Sequence, residues 1–239
     1  MGSPPTDKPY RSLIGSLIYA TLTRPDISTI VSQLSRVLES PQEAHWNAGI
    51  RVLRYLYHTR NFSLTYKPEK DLRRQEHIGD NLLGYTDSTW NTEEKSRSRT
   101  GYLCIFNGCT ISWKSKVQPN IARSSCEAEY IALNEGGSEI MWIRKILYEL
   151  GLLKEQCPTL ILIDNQPAIG LAKHKMIKQR TKHIQLKYDW IKEQVENKVF
   201  NVNYINTKEN LADFFTKNLA KGSTSTKGTF EYFKNKIMK

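Results

Sequence analysis

Apolar residues recur at every third or fourth position through the first sixty residues of the chain. This spacing runs from Tyr10 to about Thr59 and predicts three amphipathic helices, because residues so spaced share one face of a helix. Pro25 and Pro41 stand near the predicted starts of the second and third helices, where proline is tolerated. A short strand is predicted from Asn61 to Lys67. The first part of the chain is therefore expected to be a small helical segment.

After residue 81 the apolar positions form short runs that are typical of strands. The first strand is predicted to begin at Leu82 and to end at Asp87, and a polar loop is predicted from Asn91 to Arg99. Two further strands, Gly101–Phe106 and Thr110–Lys114, flank the pair Asn107-Gly108, which is a strong signal for a two-residue hairpin turn. These runs predict an antiparallel hairpin sheet.

Helices and strands follow one another in the remainder of the chain. A long helix is predicted to begin after the capping residue Ser124 and to run to Leu150, with Gly151 as its stop. The later predicted elements are a strand at Leu160–Ile163, helices at Gln166–Lys173 and His183–Glu196, a strand at Val199–Ile205 and a helix at Glu209–Lys217. This order predicts an α/β fold with a mixed five-stranded sheet flanked by helices, in which parallel strands continue the antiparallel ones.

Changes in pattern and composition divide the chain into four predicted segments. Residues 1–66 are the helical segment, and residues 67–80 are polar, charged and aperiodic, which indicates a linker. Residues 81–220 are expected to hold the sheet. Residues 221–239 are expected to be a basic C-terminal tail.

The composition favours a packed protein with a polyanionic partner. Of 239 residues, 39% are hydrophobic and 10% aromatic, which argues against disorder. The net charge of +11 favours nucleic acid as a partner before a membrane, and no apolar run approaches the length of a membrane-spanning helix. The four cysteines show no CxxC spacing, so reduced intracellular thiols are expected rather than disulfides or a zinc site.

Four acids are the candidate chemistry of the chain. Asp87 and Asp164 each follow an apolar strand, Glu129 lies in the first turns of the long helix, and Asp213 begins the last predicted helix. If the fold brings them together, their oxygens predict a site for Mg²⁺ or Mn²⁺, because no cluster of His or Cys accompanies them. Read singly, each acid is better explained as a turn residue or a helix cap, whereas two strand-end acids in a basic chain fit both interpretations equally. Glu127 is a further acid at the start of the long helix.

Longer phrases carry a resemblance to a known family. The phrases GYTDSTW, SSCEAEYIAL, LILIDNQPAIGLAK and NLADFFTKNL, with PYRSLIGSLIYATLTRPDISTIVSQLSRVL upstream of them, stand in this order. The chain resembles the carboxy-terminal end of a Ty1/copia-type retrotransposon Pol polyprotein. Residues 81–220 resemble its ribonuclease H domain, and residues 1–66 resemble the thumb and connection segment of its reverse transcriptase.

The resemblance implies an RNase H-like fold and hydrolysis of the RNA strand of an RNA–DNA hybrid with two Mg²⁺ or Mn²⁺ ions. In the implied arrangement Asp87 bridges both ions, Glu129 and Asp164 hold one of them, and Asp213 completes the other. Glu129 is preferred to Glu127, which points to another side of the helix and remains the alternative.

The resemblance also implies contacts with substrate and a set of partners. The candidate substrate-binding residues are Ser88, Ser98, Ser125, Asn165, Gln166, Lys178, Arg180, Lys182 and His183. Each has an ordinary alternative role as a turn, cap or solvated residue. The implied partners are the RNA–DNA hybrid and the remainder of the reverse transcriptase and Pol polyprotein, in a cytoplasmic virus-like particle or the nucleus.

Other functional classes remain open at this point. The chain contains no Tyr-x-Asp-Asp phrase, so it lacks the polymerase acids and is not expected to copy nucleic acid. It could be a fragment that binds RNA or hybrid with little activity in the absence of the polymerase palm, or a structural fragment of the polyprotein. An integrase on the same fold is a further alternative, against which the fourth acid, Asp213, argues.

Overall fold

The computed structural model describes residues 4–66, 82–93, 96–153, 157–173 and 182–238, with the side chains of 182–188 excepted. The predicted linker, residues 67–80, lies outside these ranges. The α-helices of the described residues are α1 (Tyr10–Ala20), α2 (Ser28–Leu34), α3 (Glu43–His58), α4 (Ser125–Glu149), α5 (Gln166–Lys173), α6 (Lys182–Glu196) and α7 (Phe230–Ile237). The strands are β1 (Leu82–Glu93), β2 (Arg97–Phe106), β3 (Cys109–Val117), β4 (Thr159–Ile163) and β5 (Phe200–Tyr204). Short 3₁₀ helices span Pro25–Ile27, Ser35–Val37, Thr207–Glu209 and Leu211–Phe215.

The five strands form one mixed sheet in the order β3-β2-β1-β4-β5. Strands β1, β2 and β3 are antiparallel neighbours, whereas β4 lies parallel to both β1 and β5. The predicted α/β class and the predicted mixed five-stranded sheet are thereby confirmed. Strand β1 is the central strand of the sheet, and its residues Thr86, Asp87 and Ser88 are buried.

The hairpin between β2 and β3 turns where the sequence predicted. Asn107 and Gly108 both have positive φ angles, of 49° and 75°, which is the backbone that a two-residue turn needs. The polar loop predicted over Asn91–Arg99 is wrong at both ends. Strand β1 continues past Asp87 to Glu93, and β2 begins at Arg97. Polar residues extend these strands because Arg99 and its neighbours are buried in a hydrogen-bonded network and not in an apolar core.

Two other predicted elements also differ from the structure. Residues 61–66 form no strand, because their backbone pairs with no neighbouring strand in the described part of the chain. The last predicted helix, Glu209–Lys217, is replaced by the two 3₁₀ helices Thr207–Glu209 and Leu211–Phe215. Asn210 interrupts the helical path between them, because its side chain caps the second 3₁₀ helix by accepting from Ala212 N.

Helix α4 covers one face of the sheet. Ser124 caps its first turn by accepting from Glu127 N at 3.1 Å, and Gly151 ends it with a φ of 68°. Its inward residues pack with those of β1, β2, β4, β5 and α6 in the main core. Members of this core include Leu82, Tyr130, Leu133, Ile140, Ile161, Ile191, Phe200 and Val202.

The opposite face is covered by the 3₁₀ helix Leu211–Phe215 and by α7. Phe214, Phe215 and Phe233 pack there against Leu103 of β2. The C-terminal residues predicted only as a basic tail therefore contain a helix that belongs to the core.

The first three helices have an apolar core of their own, which includes Tyr10, Ile14, Leu17, Ile27 and Val31. They also lie against the sheet. Trp113 of β3 donates from its indole nitrogen to Thr21 O at 3.2 Å, and Thr29 of α2 bonds to the backbone of Phe214.

Among the described residues, no helix has the length and apolarity that crossing a bilayer requires.

Candidate metal centre

Asp87 lies in the interior of β1 and is only 1% exposed. The strand places it opposite Gly101 of β2, in the middle of the sheet. Its Oδ2 accepts a hydrogen bond from Thr216 Oγ1, whereas its Oδ1 accepts none within the described part of the chain. A buried carboxylate oxygen without a hydrogen-bond donor is costly, and the only cation near it among the described residues is Lys217, whose Nζ lies 3.5 Å away.

Two other aspartates meet Asp87 from different elements. Asp164 follows the end of β4, beside β1 in the sheet, and Asp213 lies in the 3₁₀ helix Leu211–Phe215. Each of the three aspartates offers one carboxylate oxygen, and these oxygens all lie within 4.8 Å of one another. Asp164 is half-buried, whereas Asp87 and Asp213 are buried, so the cluster opens to solvent on the side of Asp164.

Glu129 approaches the three aspartates from α4. It is buried, and its Oε2 accepts no hydrogen bond from the described residues. Glu129 does not belong to the group of oxygens within 4.8 Å, but the charges of Asp87 and Asp164 both act on it. Glu127 instead caps the helix start, where its Oε2 accepts from Arg123 N at 2.8 Å. Of the two glutamates, only Glu129 is directed to the aspartates.

Burial and mutual repulsion raise the pKa values of the buried acids. Loss of hydration is the first cause of the raised pKa of Asp87, and the charge of Asp213 adds to it. Burial also raises the pKa of Glu129, with contributions from Asp87 and Asp164. The pKa of Asp213 is raised by burial as well, against the opposing effect of Lys217. Without added positive charge, the site therefore disfavours full ionisation.

Lys217 is a charged residue of the site that the sequence prediction missed. Its Nζ lies 2.7 Å from Asp213 Oδ1 and 3.5 Å from Asp87 Oδ1. Lys217 follows Asp213 by four residues, which is the spacing of an ion pair along a helix. This spacing could have identified Lys217 from the sequence. Thr216, the donor to Asp87, precedes it and could be located only from the tertiary structure.

Asn210 fixes the element that carries Asp213. Its side chain is fully buried, and its Nδ2 donates to Thr86 O at 3.0 Å while its Oδ1 accepts from Ala212 N. One amide group therefore ties the start of the 3₁₀ helix to the backbone of β1, next to Asp87.

The donor set fits a hard divalent cation. All of the candidate ligands are carboxylates, which Mg²⁺ and Mn²⁺ prefer, and two buried oxygens, Asp87 Oδ1 and Glu129 Oε2, accept no hydrogen bond from the described residues. A cation between the acids would offset both the repulsion and the loss of hydration that raise their pKa values.

The structure describes the side chains of five of the nine candidate substrate contacts. Ser125 and Gln166 are exposed, at the starts of α4 and α5. Ser88 is buried directly after Asp87, and its backbone and hydroxyl lie close enough to Glu129 to oppose the rise in the pKa of that carboxyl. Asn165 caps α5, because its Oδ1 accepts from Ala168 N at 2.9 Å.

Among the candidates that the structure describes, Ser98 does not fit a contact with substrate. It is completely buried, and its hydroxyl accepts from Asn91 N at 3.3 Å. Lys178 and Arg180 lie outside the described residues, and so do the side chains of Lys182 and His183.

Substitution of Lys217 by methionine tests whether its charge competes with a divalent cation. We expect Lys217→Met to tighten binding of Mn²⁺ about five- to ten-fold, the effect of roughly 1 kcal/mol from a half-exposed charge pair. Calorimetric titration of the metal-free protein with Mn²⁺ measures this affinity. Lys145→Met is the control, because Lys145 is exposed. If Lys217→Met binds Mn²⁺ no more tightly than the wild type, the Lys217 charge does not compete with the cation.

Two curated relatives cover most of the chain. A Pol polyprotein from the transposon TNT 1-94 of Nicotiana tabacum is 42% identical over 87% of the chain. One from the transposon RE2 of Arabidopsis thaliana is 36% identical over 98% of it. The chain spans only 15% of the length of each relative. No family model matches the chain.

Solved structures similar to this fold include LC11-RNase H1 in complex with an RNA/DNA hybrid. It is 18% identical and gives a TM-score of 0.43, over 56% of this chain and 93% of the other.

Proposed function

The chain belongs to the Pol polyproteins of Ty1/copia-type transposons, and from this membership and the acidic cluster we propose that it is a metal-dependent ribonuclease H. The proposed reaction is hydrolysis of the RNA strand of RNA–DNA hybrids formed during reverse transcription. The proposed cofactor is a pair of Mg²⁺ or Mn²⁺ ions. Because the chain spans a small part of its relatives, the remainder of the reverse transcriptase is its proposed partner.

The convergence of Asp87, Asp164 and Asp213 is the observation on which the proposal rests. Three aspartates from three separate elements place oxygens within 4.8 Å of one another, and a buried oxygen of Asp87 has no donor. Helix capping or turn formation does not explain this arrangement, because neither requires the three side chains to meet. A cation-binding site does require its carboxylate ligands to meet.

Each acid has a distinct proposed role, as the resemblance implies. Asp87 shares its group of oxygens with Asp164 and Asp213 and would serve both ions. Glu129 and Asp164 would hold one ion, and Asp213 would complete the other. Two bound ions would activate a water molecule and stabilise the leaving oxygen of the phosphodiester.

The protein's own contribution is to hold these carboxylates in place before substrate arrives. Thr216 fixes Asp87 through its hydroxyl, and Asn210 fixes the 3₁₀ helix of Asp213 to β1. Such rigid placement lowers the barrier because little reorganisation is left for the reaction itself. Burial on the side of Asp87 excludes bulk water, so the phosphodiester would enter from the side of Asp164.

Selection of RNA requires contacts with 2′-hydroxyl groups in the minor groove of the hybrid. Ser125 and Gln166 are exposed at helix starts and remain candidates for these contacts. Ser88 lies directly after Asp87 and beside Glu129, and is a further candidate. The net charge of +11 favours binding of the phosphate backbone, in a manner that weakens as salt rises.

A panel of labelled duplexes tests the proposal. We expect the purified chain to cut the RNA strand of an RNA–DNA hybrid in Mg²⁺ or Mn²⁺, and to leave RNA–RNA and DNA–DNA duplexes intact. The products are expected to end in a 3′-hydroxyl and a 5′-phosphate. Salt-sensitive binding of the hybrid without cleavage would overturn the catalytic proposal and favour a binding fragment that depends on the polymerase palm.

A further inference from the structure

The end of the 3₁₀ helix that carries Asp213 is held from three sides. The carbonyl oxygens of Phe214, Phe215 and Thr216 each accept a hydrogen bond from a side-chain hydroxyl of a different element. The donors are Thr29 Oγ1 of α2 at 3.0 Å, Ser115 Oγ of β3 at 2.6 Å and Thr89 Oγ1 of β1 at 3.2 Å. A 3₁₀ helix of five residues cannot satisfy these terminal carbonyls internally, so its orientation depends on outside donors.

One of these three donors comes from the helical segment and not from the sheet. Thr29 is separated from Phe214 by 185 positions in sequence, and its hydroxyl bonds to the residue immediately after Asp213. Helix α2 therefore contacts the backbone that carries a proposed metal ligand. A hydrogen bond is directional, so the bond from Thr29 restrains the position of the Phe214 carbonyl relative to α2.

A second route connects α2 to the same backbone. Arg99 of β2 is fully buried, and its Nη1 donates to Ser32 Oγ of α2 and to Ser115 Oγ, each at 2.9 Å. Ser115 in turn donates to Phe215 O. The Nε atom of Arg99 pairs with Glu93 at 2.6 Å, and Glu93 also pairs with Arg36, which follows α2. A buried guanidinium thus joins α2 to the donor that holds Phe215.

We propose that α2 positions Asp213, so that the helical segment sets the cation affinity and turnover of the catalytic centre through Thr29 and the Ser32–Arg99–Ser115 chain. This inference rests on the proposed function, since it assigns a positioning role toward the same cluster. Thr29 touches neither substrate nor cation and acts only through the backbone of Asp213. Movement of the helical segment against the sheet would then change the activity of a site that it does not contact directly.

Thr29→Val tests the first route, because valine keeps the shape of threonine and removes the donor. We expect Thr29→Val to weaken Mn²⁺ binding about three- to ten-fold, the effect of losing one net hydrogen bond. Thr29→Ser keeps the hydroxyl and is expected to restore most of the affinity. Thr21→Val is the matched control, because Thr21 Oγ1 donates to Ile18 O within its own helical segment.

The measurements are Mn²⁺ titration by calorimetry, thermal unfolding in EDTA, and kcat and KM for hybrid cleavage. Support requires a lower metal affinity and kcat for Thr29→Val, with KM near that of the wild type and rescue by Thr29→Ser. Equal metal affinity in Thr29→Val and Thr21→Val overturns the inference, even if Thr29→Val unfolds at a lower temperature.

Asp213→Asn separates this inference from the proposed function. If Asp213→Asn weakens Mn²⁺ binding and Thr29→Val does not, the metal site is supported and the positioning role of α2 is wrong. If Asp213→Asn leaves Mn²⁺ binding unchanged, the proposed metal site itself fails, and the inference fails with it.

Discussion

Replacement of Asp87 by asparagine is expected to slow RNA hydrolysis about a thousand-fold. Asp87 is the most deeply buried acid of the cluster and is proposed to serve both cations. Its loss would remove several kcal/mol of transition-state stabilisation, and each 1.36 kcal/mol corresponds to a factor of ten in rate. Single-turnover cleavage of a labelled hybrid at saturating protein measures the chemical step without the effect of substrate binding.

The same substitution is expected to stabilise the metal-free protein. Burial raises the pKa of Asp87, and the neighbouring Asp213 adds to it, so the ionised carboxylate is disfavoured in the folded state. Asparagine removes that charge and retains an acceptor for Thr216. In EDTA at pH 8 we expect Asp87→Asn to unfold about 2–4 °C above the wild type, which corresponds to about 1 kcal/mol for a protein of this size.

The pH dependence of stability follows from the direction of these pKa shifts. The folded protein holds protons on Asp87, Glu129 and Asp213 more tightly than the unfolded chain does. The stability that these protons contribute is present below the ordinary carboxyl pKa, near 4, and is lost as pH rises through the raised folded-state values. The metal-free wild type should therefore lose stability as pH rises above about 4, and Asp87→Asn should lose less.

Asp189→Asn is the matched control for Asp87→Asn, because Asp189 is an exposed acid on α6. We expect its activity and unfolding temperature to equal those of the wild type. Retention of more than a tenth of the wild-type rate by Asp87→Asn would remove this residue from the catalytic centre.

Replacement of Gly101 by alanine is expected to damage both stability and activity. A Cβ atom at this position would lie 2.6 Å from Thr216 Cγ2, 2.9 Å from Ala212 O and 2.9 Å from Phe215 Cβ. These contacts are with the element of Asp213, and one of them is with its backbone, so the 3₁₀ helix would have to move away from β2. Overpacking of this kind costs about 1–3 kcal/mol.

The same substitution is expected to lower the cleavage rate. Displacement of a catalytic group by about 1 Å can lower the rate about a hundred-fold. We therefore expect Gly101→Ala to remain folded at 20 °C, with an unfolding temperature several degrees below the wild type and a cleavage rate about a hundred-fold lower.

Gly15→Ala is the matched control, because nothing lies within 4 Å of a Cβ built on Gly15 in α1. Alanine there should raise stability by about 0.5–1 kcal/mol, the usual gain inside a helix, and leave the cleavage rate unchanged. If Gly101→Ala is folded and has wild-type activity, close packing at Gly101 does not determine the position of Asp213.

Periodicity and turn residues predicted most of the fold. Helices α1 to α6 were predicted from apolar spacing and helix start and stop signals, and the β2–β3 hairpin from Asn107-Gly108, whereas α7 was not predicted. The extension of β1 to Glu93 and the early start of β2 were missed because these parts are polar. Their burial depends on Arg99, which pairs with Glu93 and with two serines distant in sequence. Local sequence patterns do not reveal hydrogen bonds between residues that are distant in sequence.

The acids of the candidate site could be chosen from the sequence, but their geometry could not. The four residues were identified from the two strand-end aspartates and from the resemblance to a known family. Their convergence depends on the strand order β3-β2-β1-β4-β5 and on the 3₁₀ helix of Asp213. Lys217, Thr216 and Asn210 act through contacts that arise only when residues 210–217 lie against β1. Ser98 was chosen as a polar loop residue and proved to be buried in β2.

The most direct test of the account is cleavage of the RNA strand of a hybrid by the wild type and by Asp164→Asn, in Mg²⁺ and in EDTA. Asp164 is the half-buried member of the cluster, so its substitution should disturb the fold least. The account predicts cleavage by the wild type in Mg²⁺ alone, and a loss of about a hundred-fold or more in folded Asp164→Asn, on the order of 3 kcal/mol. Undiminished cleavage by Asp164→Asn, or cleavage that persists in EDTA, would contradict it.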